Sequence, residues 1–316
     1  MRIAIDVMGG DHAPTEIIAG ALKWAGQSDS SLLLVGDQEV IAGELESFAY
    51  NPEQVSIIHA SEVVGMNESP ALALRKKKDS SIMVATKLVK AGQADAIISC
   101  GNTGAQMAAA VFTLGRLESV ERPPIVANVP NVLGKFSLLV DVGANVDCRP
   151  GQLLQFAILG NAYAKVGLGI DNPRIGLLNN GEEETKGNSQ TVEAYALLQK
   201  EPGLNFTGNI EGRDLFSGKC DVIVCDGFTG NVVLKTVEGL AIFMAGAIKK
   251  ELGGTLSVFQ HFDYTQVGGA PLLGIDGISI VCHGSSKQNA VFNGIRIAAE
   301  CVQQDIVKMQ KQALAK

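Results

Sequence analysis

The chain has 316 residues, 46% of them hydrophobic, with 36 glycines and a formal charge of −7. That is the composition of a compact α/β protein, and it excludes both a disordered tail and a general nucleic-acid binder, which needs a basic face to displace counterions. Any acidic partner must therefore meet a local basic patch. Six cysteines without a CxxC pair, most of them inside apolar runs, predict reduced, buried thiols and a cytoplasmic protein. The opening "MRIAIDVMGG" enters a strand directly, without the apolar core and cleavage site of a secretory signal.

In chain order, "RIAIDV" predicts a first strand, followed by the turn "DVMGGDHAP" with Gly9, Gly10, Asp11, His12 and Pro14, and then the helix "PTEIIAGALKWAG". "SLLLVG" and "VSIIHA" read as further strands. The densest basic run, Arg75-Lys76-Lys77-Lys78, precedes Asp79-Ser80-Ser81, the expected cap of "SSIMVATKLVKAG". The run reads first as a solvated helix end, and otherwise as a docking face for an acidic partner. "ADAIIS" enters Gly101-Asn102-Thr103-Gly104 and a helix. Residues 96–115 carry no charge, but Asn102, Thr103 and Gln106 interrupt them and argue against a membrane span.

"PIVANV" and "SLLVDV" are strands before the helix "PGQLLQFAILGNAYAKVG". "RIGLLN" then runs into Asn179-Asn180-Gly181, Glu182, Glu183, Glu184, Lys186, Gly187 and Asn188, ahead of the helix "NSQTVEAYALLQK". "DVIVCD" leads into a second such turn, Gly227-Phe228-Thr229-Gly230, and an apolar helix. Its stripe of Ile242, Phe243, Ala247 and Ile248 ends at Lys249 and Lys250, within a predicted protruding helical segment at about 240–266. Such a stripe fits a dimer contact, a core face or a membrane-facing hairpin, and the dimer is favoured. "GISIVC" enters His283-Gly284-Ser285-Ser286 and the closing helix "SKQNAVFNGIRIAAECVQQDIVKMQKQ", with Ser285 or Ser286 available as its cap.

Continuous apolar strands alternating with helices predict a three-layer α/β/α sandwich with a mainly parallel sheet, here taken as one catalytic domain with a cleft over 1–316. Ligands of such sheets bind at the carboxyl ends of the strands. Three glycine turns there, each opening a helix, present free N–H groups and a positive dipole end, which suits an anion. Tight strand-to-helix turns also need Gly and a capping side chain for their own sake, so each turn alone is ambiguous. GxxxxGK[ST] and GxGxxG are both absent, which counts against nucleotide. Lys186 can bind phosphate as a point charge. Cys100 and Cys225 flank the paired turns but have no neighbouring His, and read as inert core thiols. His283 is the best-placed imidazole and His12 the next; four histidines without ligand spacing predict no metal, and no cofactor is expected.

Taken together, "DVMGGDHAP", "KKKDSSIMVA", "SCGNTGAQMA", "DVGANVDCRP", "GLLNNGEEETKGN", "DGFTGNVVLK", "GGAPLLGIDG" and "CHGSS" resemble the bacterial phosphate acyltransferases. The match runs from Asp6 to Ser286 in order. This resemblance implies a fold similar to phosphotransacetylases and the isocitrate dehydrogenase group, and formation of acyl phosphate from acyl-acyl carrier protein and inorganic phosphate at the entry to phospholipid synthesis. It further implies a homodimer, a downstream glycerol-3-phosphate acyltransferase and, in some relatives, peripheral contact with the inner face of the cell membrane. Lys186 and Asn231 fall on family positions associated with catalysis. Gly101, Asn102, Thr103, Gly104, Gly227, Thr229, Gly230, His283, Gly284 and Ser285 become candidate phosphate or thioester contacts, and Arg75, Lys76, Lys77 and Lys78 a candidate carrier-docking patch.

The chain departs from the family at Val7 and Cys100, where Ala is frequent, so Cys100 is not a required nucleophile. Residues 249–266 are shorter and less basic than the membrane-contacting hairpin of some relatives, which weakens the case for membrane attachment. Phosphate is its own nucleophile, so the protein needs only to hold it near the thioester and stabilise the tetrahedral oxyanion, with Asn231 a suitable donor. The two Gly-x-Thr-Gly turns are then expected to face one another across the cleft. A transacylase using coenzyme A thioesters and a non-catalytic carrier-binding scaffold are the competing readings.

Overall fold

The computed structural model describes residues 1–252 and 268–315. They divide into two compact units, one built from Met1–Gly115 with the strands and helix of residues 269–303, the other from residues 116–252 with the last helix. In the first unit, β1 (Arg2–Asp6), α1 (Thr15–Ala25), β2 (Ser31–Gly36), α2 (Gln38–Leu45), β3 (Val55–His59), α3 (Pro70–Lys76), α4 (Ser81–Lys90), β4 (Ala96–Ser99) and α5 (Thr103–Ala109) follow in order. The second unit contributes β5 (Val126–Pro130), β6 (Phe136–Val140), α6 (Pro150–Gly167), β7 (Arg174–Asn179), α7 (Ser189–Lys200), β8 (Asn205–Glu211), β9 (Val222–Val224) and α8 (Gly227–Leu252). The chain then returns to the first unit with β10 (Gly269–Pro271), β11 (Ser279–Cys282) and α9 (Gln288–Gln303), and closes in the second with α10 (Ile306–Leu314).

The first unit's sheet has the order β10-β11-β4-β1-β2-β3, and the second's β5-β6-β9-β7-β8. Each is parallel except for one antiparallel edge strand, β10 on β11 and β5 on β6. The mostly parallel α/β architecture expected from the alternation is therefore present, with its strands shared between two sheets. Strands β1, β4, β6, β9 and β11 are buried on both faces, which is why they read as unbroken apolar runs. The remaining strands are less completely buried, among them β8 and β10 at sheet edges. β8, "NFTGNIE", is half polar and interrupted by Gly208, because an edge strand needs no continuous apolar face.

Helices cover the sheets for ordinary reasons. The Asp37 carboxylate accepts from the Glu39 and Val40 N–H groups and caps α2. α9 buries Val291, Ile295, Ala298 and Ala299 and packs on α1 and β11. α6 buries Leu153, Phe156, Ala157 and Leu159 against β6 and β9, and α10 packs on it from the other side. α8 is different. From Gly227 to Glu251 it is long and apolar enough to cross a membrane, and its apolar window is not buried within this chain. Ile242 and Phe243 are each 69% exposed, so the stripe is not a core face. The remainder of the predicted protruding segment, from 253 to 266, lies outside the described residues.

Candidate active site

Strand adjacency decides which loops meet. In the first unit β11, β4 and β1 lie side by side, so the turns that follow them converge at one sheet edge. Asp11 donates its N–H to the Gly284 carbonyl at 2.8 Å, and a Cβ on Gly9 would sit 2.8 Å from the Gly101 Cα. "DVMGGDHAP" therefore walls both the Gly101 turn and the Gly284 turn. Asp6, buried at the end of β1, organises them: the Ser99 hydroxyl donates to its Oδ2 at 2.6 Å, and the Gly101 N–H in turn donates to the Ser99 hydroxyl at 3.0 Å. Burial pushes the Asp6 carboxyl above the usual carboxylate range, against hydrogen bonds from Ser81, Ser99, Met8 and Gly9 that pull it down.

The side chains of these turns are largely engaged with the protein. Asn102 accepts from the Ala105 N–H at 3.0 Å and so caps α5 in place of Thr103. Its Nδ2 donates to the carbonyls of Gly65, Met66 and Glu68 at 3.3, 3.0 and 3.0 Å. Those bonds fasten the segment leading into α3 onto the glycine turn, and Pro70 lies against Gly104. His283 Nδ1 accepts from the Ser285 N–H at 3.2 Å and shares a 2.7 Å hydrogen bond with the Ser285 hydroxyl. The Gln288 N–H at the head of α9 donates to the Glu16 carboxylate, a partner from α1 that local sequence spacing does not disclose.

Of the basic run, Arg75, Lys76 and Lys78 are exposed. Lys77 instead donates to the Glu68 carboxylate at 2.5 Å and to the Val63 carbonyl at 2.7 Å. It is a brace for the loop before α3, and the Glu68 carboxyl is held below its ordinary range, chiefly by that hydrogen bond.

In the second unit β6, β9 and β7 are neighbours, which groups the loops carrying Asp141–Asn145, Asp226–Asn231 and Lys186 at one edge. The Lys186 loop is built by its own polar groups: Asn179 donates to the Lys186 carbonyl at 3.0 Å, and Asn209 to the Glu183 carbonyl at 2.8 Å. Glu184 accepts from the Tyr195 hydroxyl, and Glu182 pairs with Lys219. Lys186 is exposed, its stem crosses Gly181, and its ammonium makes no hydrogen bond or ion pair with any described residue.

α8 is capped by Asp226, whose carboxylate accepts from the Thr229 N–H at 2.8 Å and from the Thr229 hydroxyl at 2.9 Å. Asn231, in the next turn, is exposed, and its amide bonds to no described residue. Asp141 is the residue that sequence reasoning missed. It is fully buried, and its carboxylate accepts four hydrogen bonds, from the Ile125, Ala144 and Asn145 N–H groups and from Asn145 Nδ2. Only the polar run "DVGAN" after an apolar strand hinted at it.

Three of the thiols are held away from ionisation. A hydrogen bond with Cys282, together with burial, holds the Cys100 thiol far above its ordinary range; burial does the same for Cys225 and pushes Cys148 up to about 11. Among the described residues, one group could hold a metal, Glu182, Glu211 and Asp214. Lys219 already bridges Asp214 and Glu182, and Arg213 pairs with Glu211, so the cations there are the protein's own.

Comparison with known proteins places these loops in context. Residues 1–309 match the family described as "Fatty acid synthesis protein". A phosphate acyltransferase of Syntrophomonas wolfei is 61% identical, covering 100% of this chain and 99% of its own length. One from Desulforamulus reducens is 51% identical over 99% of this chain and 97% of its own. In fold, the chain is similar to a branched-chain phosphotransacylase from Enterococcus faecalis, with a TM-score of 0.64 and 17% identity, covering 96% of this chain and 99% of that one.

Proposed function

The chain belongs to the phosphate acyltransferase family, and from that premise we propose that it transfers an acyl group from acyl-acyl carrier protein to inorganic phosphate. A phosphate oxygen attacks the thioester carbonyl carbon, a C–O bond replaces the C–S bond, and the carrier leaves as a thiolate that takes up a proton. The product, an acyl phosphate, is a mixed anhydride for consumption by a downstream glycerol-3-phosphate acyltransferase in phospholipid synthesis.

The observation that carries this reading is the Lys186 ammonium, which has no partner among the described residues while Glu182 and Glu184 bond elsewhere. It is an exposed positive charge, and phosphate is the substrate whose charge it matches. Asn231, in α8 after the neighbouring strand β9, offers an amide donor for the carbonyl oxygen as it becomes an oxyanion. The Asp226 carboxylate at the head of α8 disfavours a second dianion at that turn but not an uncharged thioester, which separates the two roles. Within the first unit, the Gly101–Gly104 and His283–Ser285 turns are assigned as candidate phosphate or thioester contacts in their own right, through their backbone groups.

The carrier is assigned to the exposed Arg75, Lys76 and Lys78, next to Leu72, which is 59% exposed. Lys77 leaves that set because it braces Glu68. For assembly, the exposed apolar face of α8 is assigned to a second copy of the chain in a cytoplasmic homodimer. Light scattering with and without liposomes separates this from the alternative: monomers that bind vesicles through α8 would replace the dimer with a membrane contact.

Mass spectrometry of products tests the chemistry. Long-chain acyl-acyl carrier protein with phosphate is expected to yield acyl phosphate and free carrier. Turnover restricted to acyl coenzyme A would replace the carrier as donor, and no acyl phosphate from either donor would leave a carrier-binding scaffold.

A further inference from the structure

The Asn231 side-chain amide makes no hydrogen bond to any described residue, so something else must hold it where a reaction could use it. An unrestrained donor gives little stabilisation to a developing charge, because it must be ordered at the moment of reaction. What abuts Asn231 is the turn after β6: a Cβ on Gly143 would lie 3.6 Å from both Cβ and Cγ of Asn231. The same turn grips the head of α8 at two further points. The Gly227 N–H, first in the helix, donates to the Asn145 carbonyl at 2.7 Å. Gly230 sits so close to the Asp141 carbonyl that an added Cβ would be 1.8 Å from the oxygen.

Asp141 closes that turn from inside. One carboxylate oxygen accepts from Ile125 N–H at 3.0 Å and Ala144 N–H at 3.1 Å, the other from Asn145 N–H at 2.7 Å and Asn145 Nδ2 at 2.9 Å. Four donors occupy both oxygens of a carboxylate, and no cation is among them. A buried carboxylate without a cationic partner is costly, and here it sits within a turn that abuts Asn231. Asn145 is the link: held by Asp141 through its N–H and side chain, it holds Gly227 through its carbonyl.

We propose that Asp141 is the positioning residue for Asn231, acting through Asn145 and the head of α8 without touching substrate. The inference rests on the assignment of Asn231 to the reaction. Asp141→Asn is nearly isosteric but has one acceptor oxygen, and it turns an NH2 toward two N–H donors, so the turn must reopen on one side. A residue that matters only for the amount of native protein would lower activity by the same factor in any background. A residue that works through Asn231 loses its effect once the Asn231 amide is gone.

The experiment is a double-variant cycle, with kcat and both KM values measured on protein shown to be folded by circular dichroism. Asp141→Asn is expected to lower kcat by about tenfold or more and to leave both KM values within about twofold. Asp141→Asn/Asn231→Ala is expected to match Asn231→Ala alone within about twofold. Unchanged kcat in Asp141→Asn, or a double variant slower by the full product of the two single factors, overturns the proposal while Asn231 keeps its role. An Asn231→Ala enzyme as active as the parent removes Asn231 from the reaction and this inference with it. If Asp141→Asn does not fold, Asn145→Ala takes its place in the cycle. It removes one donor to Asp141 and keeps the backbone links, and a loss of about threefold confined to the Asn231 background is expected.

Discussion

The two units solve one structural problem in opposite ways. Each ends three adjacent parallel strands in turns at one sheet edge, each opens a helix with Gly-x-Thr-Gly, and each places a buried aspartate, Asp6 or Asp141, beneath the glycines. In the first unit Asn102 caps α5 and clamps residues 65–68, and the exposed His283 bonds to Ser285. In the second, Lys186 and Asn231 are exposed, their side-chain nitrogens without a partner among the described residues. A glycine turn can therefore be a scaffold in one half of a chain and a platform for free functional groups in the other. The motif does not distinguish them; the destination of each side chain does.

The sharpest way to break this contrast is Lys186→Ala. A free ammonium braces nothing, so thermal stability should be unchanged while turnover falls by roughly 10²–10³-fold, the usual cost of removing one electrostatic stabiliser. Normal turnover in steady-state assays would mean that the second unit's free groups are only surface.

The glycines provide the next test. Gly230→Ala must push a methyl into the Asp141 carbonyl, a rigid neighbour, whereas a Cβ on Gly104 meets only the Pro70 ring, 2.6 Å from its Cγ. Denaturant unfolding should show Gly230→Ala destabilised by about 3 kcal/mol and Gly104→Ala by about 1 kcal/mol, since ring pucker can yield and the carbonyl cannot. Equal losses would contradict the tighter seating of α8.

Asn102→Asp then asks whether the first unit's turn is chiefly structural. The substitution keeps the cap acceptor but loses the donor to three carbonyls, so about 1–2 kcal/mol of stability should go, with a smaller change in kcat than Lys186→Ala produces. A large kcat loss at full stability would make Asn102 a substrate contact instead.

Smallest is the charge at the end of α3. Arg75→Glu/Lys76→Glu should raise the KM for acyl carrier protein about three- to tenfold at low salt and leave the KM for phosphate unchanged, because exposed charges act mainly on encounter. Lys77→Glu should differ, breaking the Glu68 brace and lowering the melting temperature. Carrier kinetics indifferent to both reversals would move docking elsewhere.

Nine strands, the order of strand and helix, and the three glycine turns were legible in the sequence, because buried parallel strands must be apolar throughout and turns at their ends must contain glycine. Lys186 stood out as a basic residue in a loop after such a strand, whereas Asn231 was singled out only by the family resemblance. β8 and β10 were not, because edge strands can be short or mixed in character. The single sheet expected from the alternation gave way to two for a similar reason: which strands pair is a matter of long-range contact, and β10, β11 and α9 rejoin the first unit from far along the chain. Composition and periodicity are local properties, and they determined the elements and where functional groups could sit. Tertiary structure alone decided which groups were spent on other protein atoms: Lys77 on Glu68, Asn102 on residues 65–68, Asp141 on the turn beneath Asn231. Hydrogen bonds and ion pairs of that kind join residues that only folding brings within 3 Å of each other.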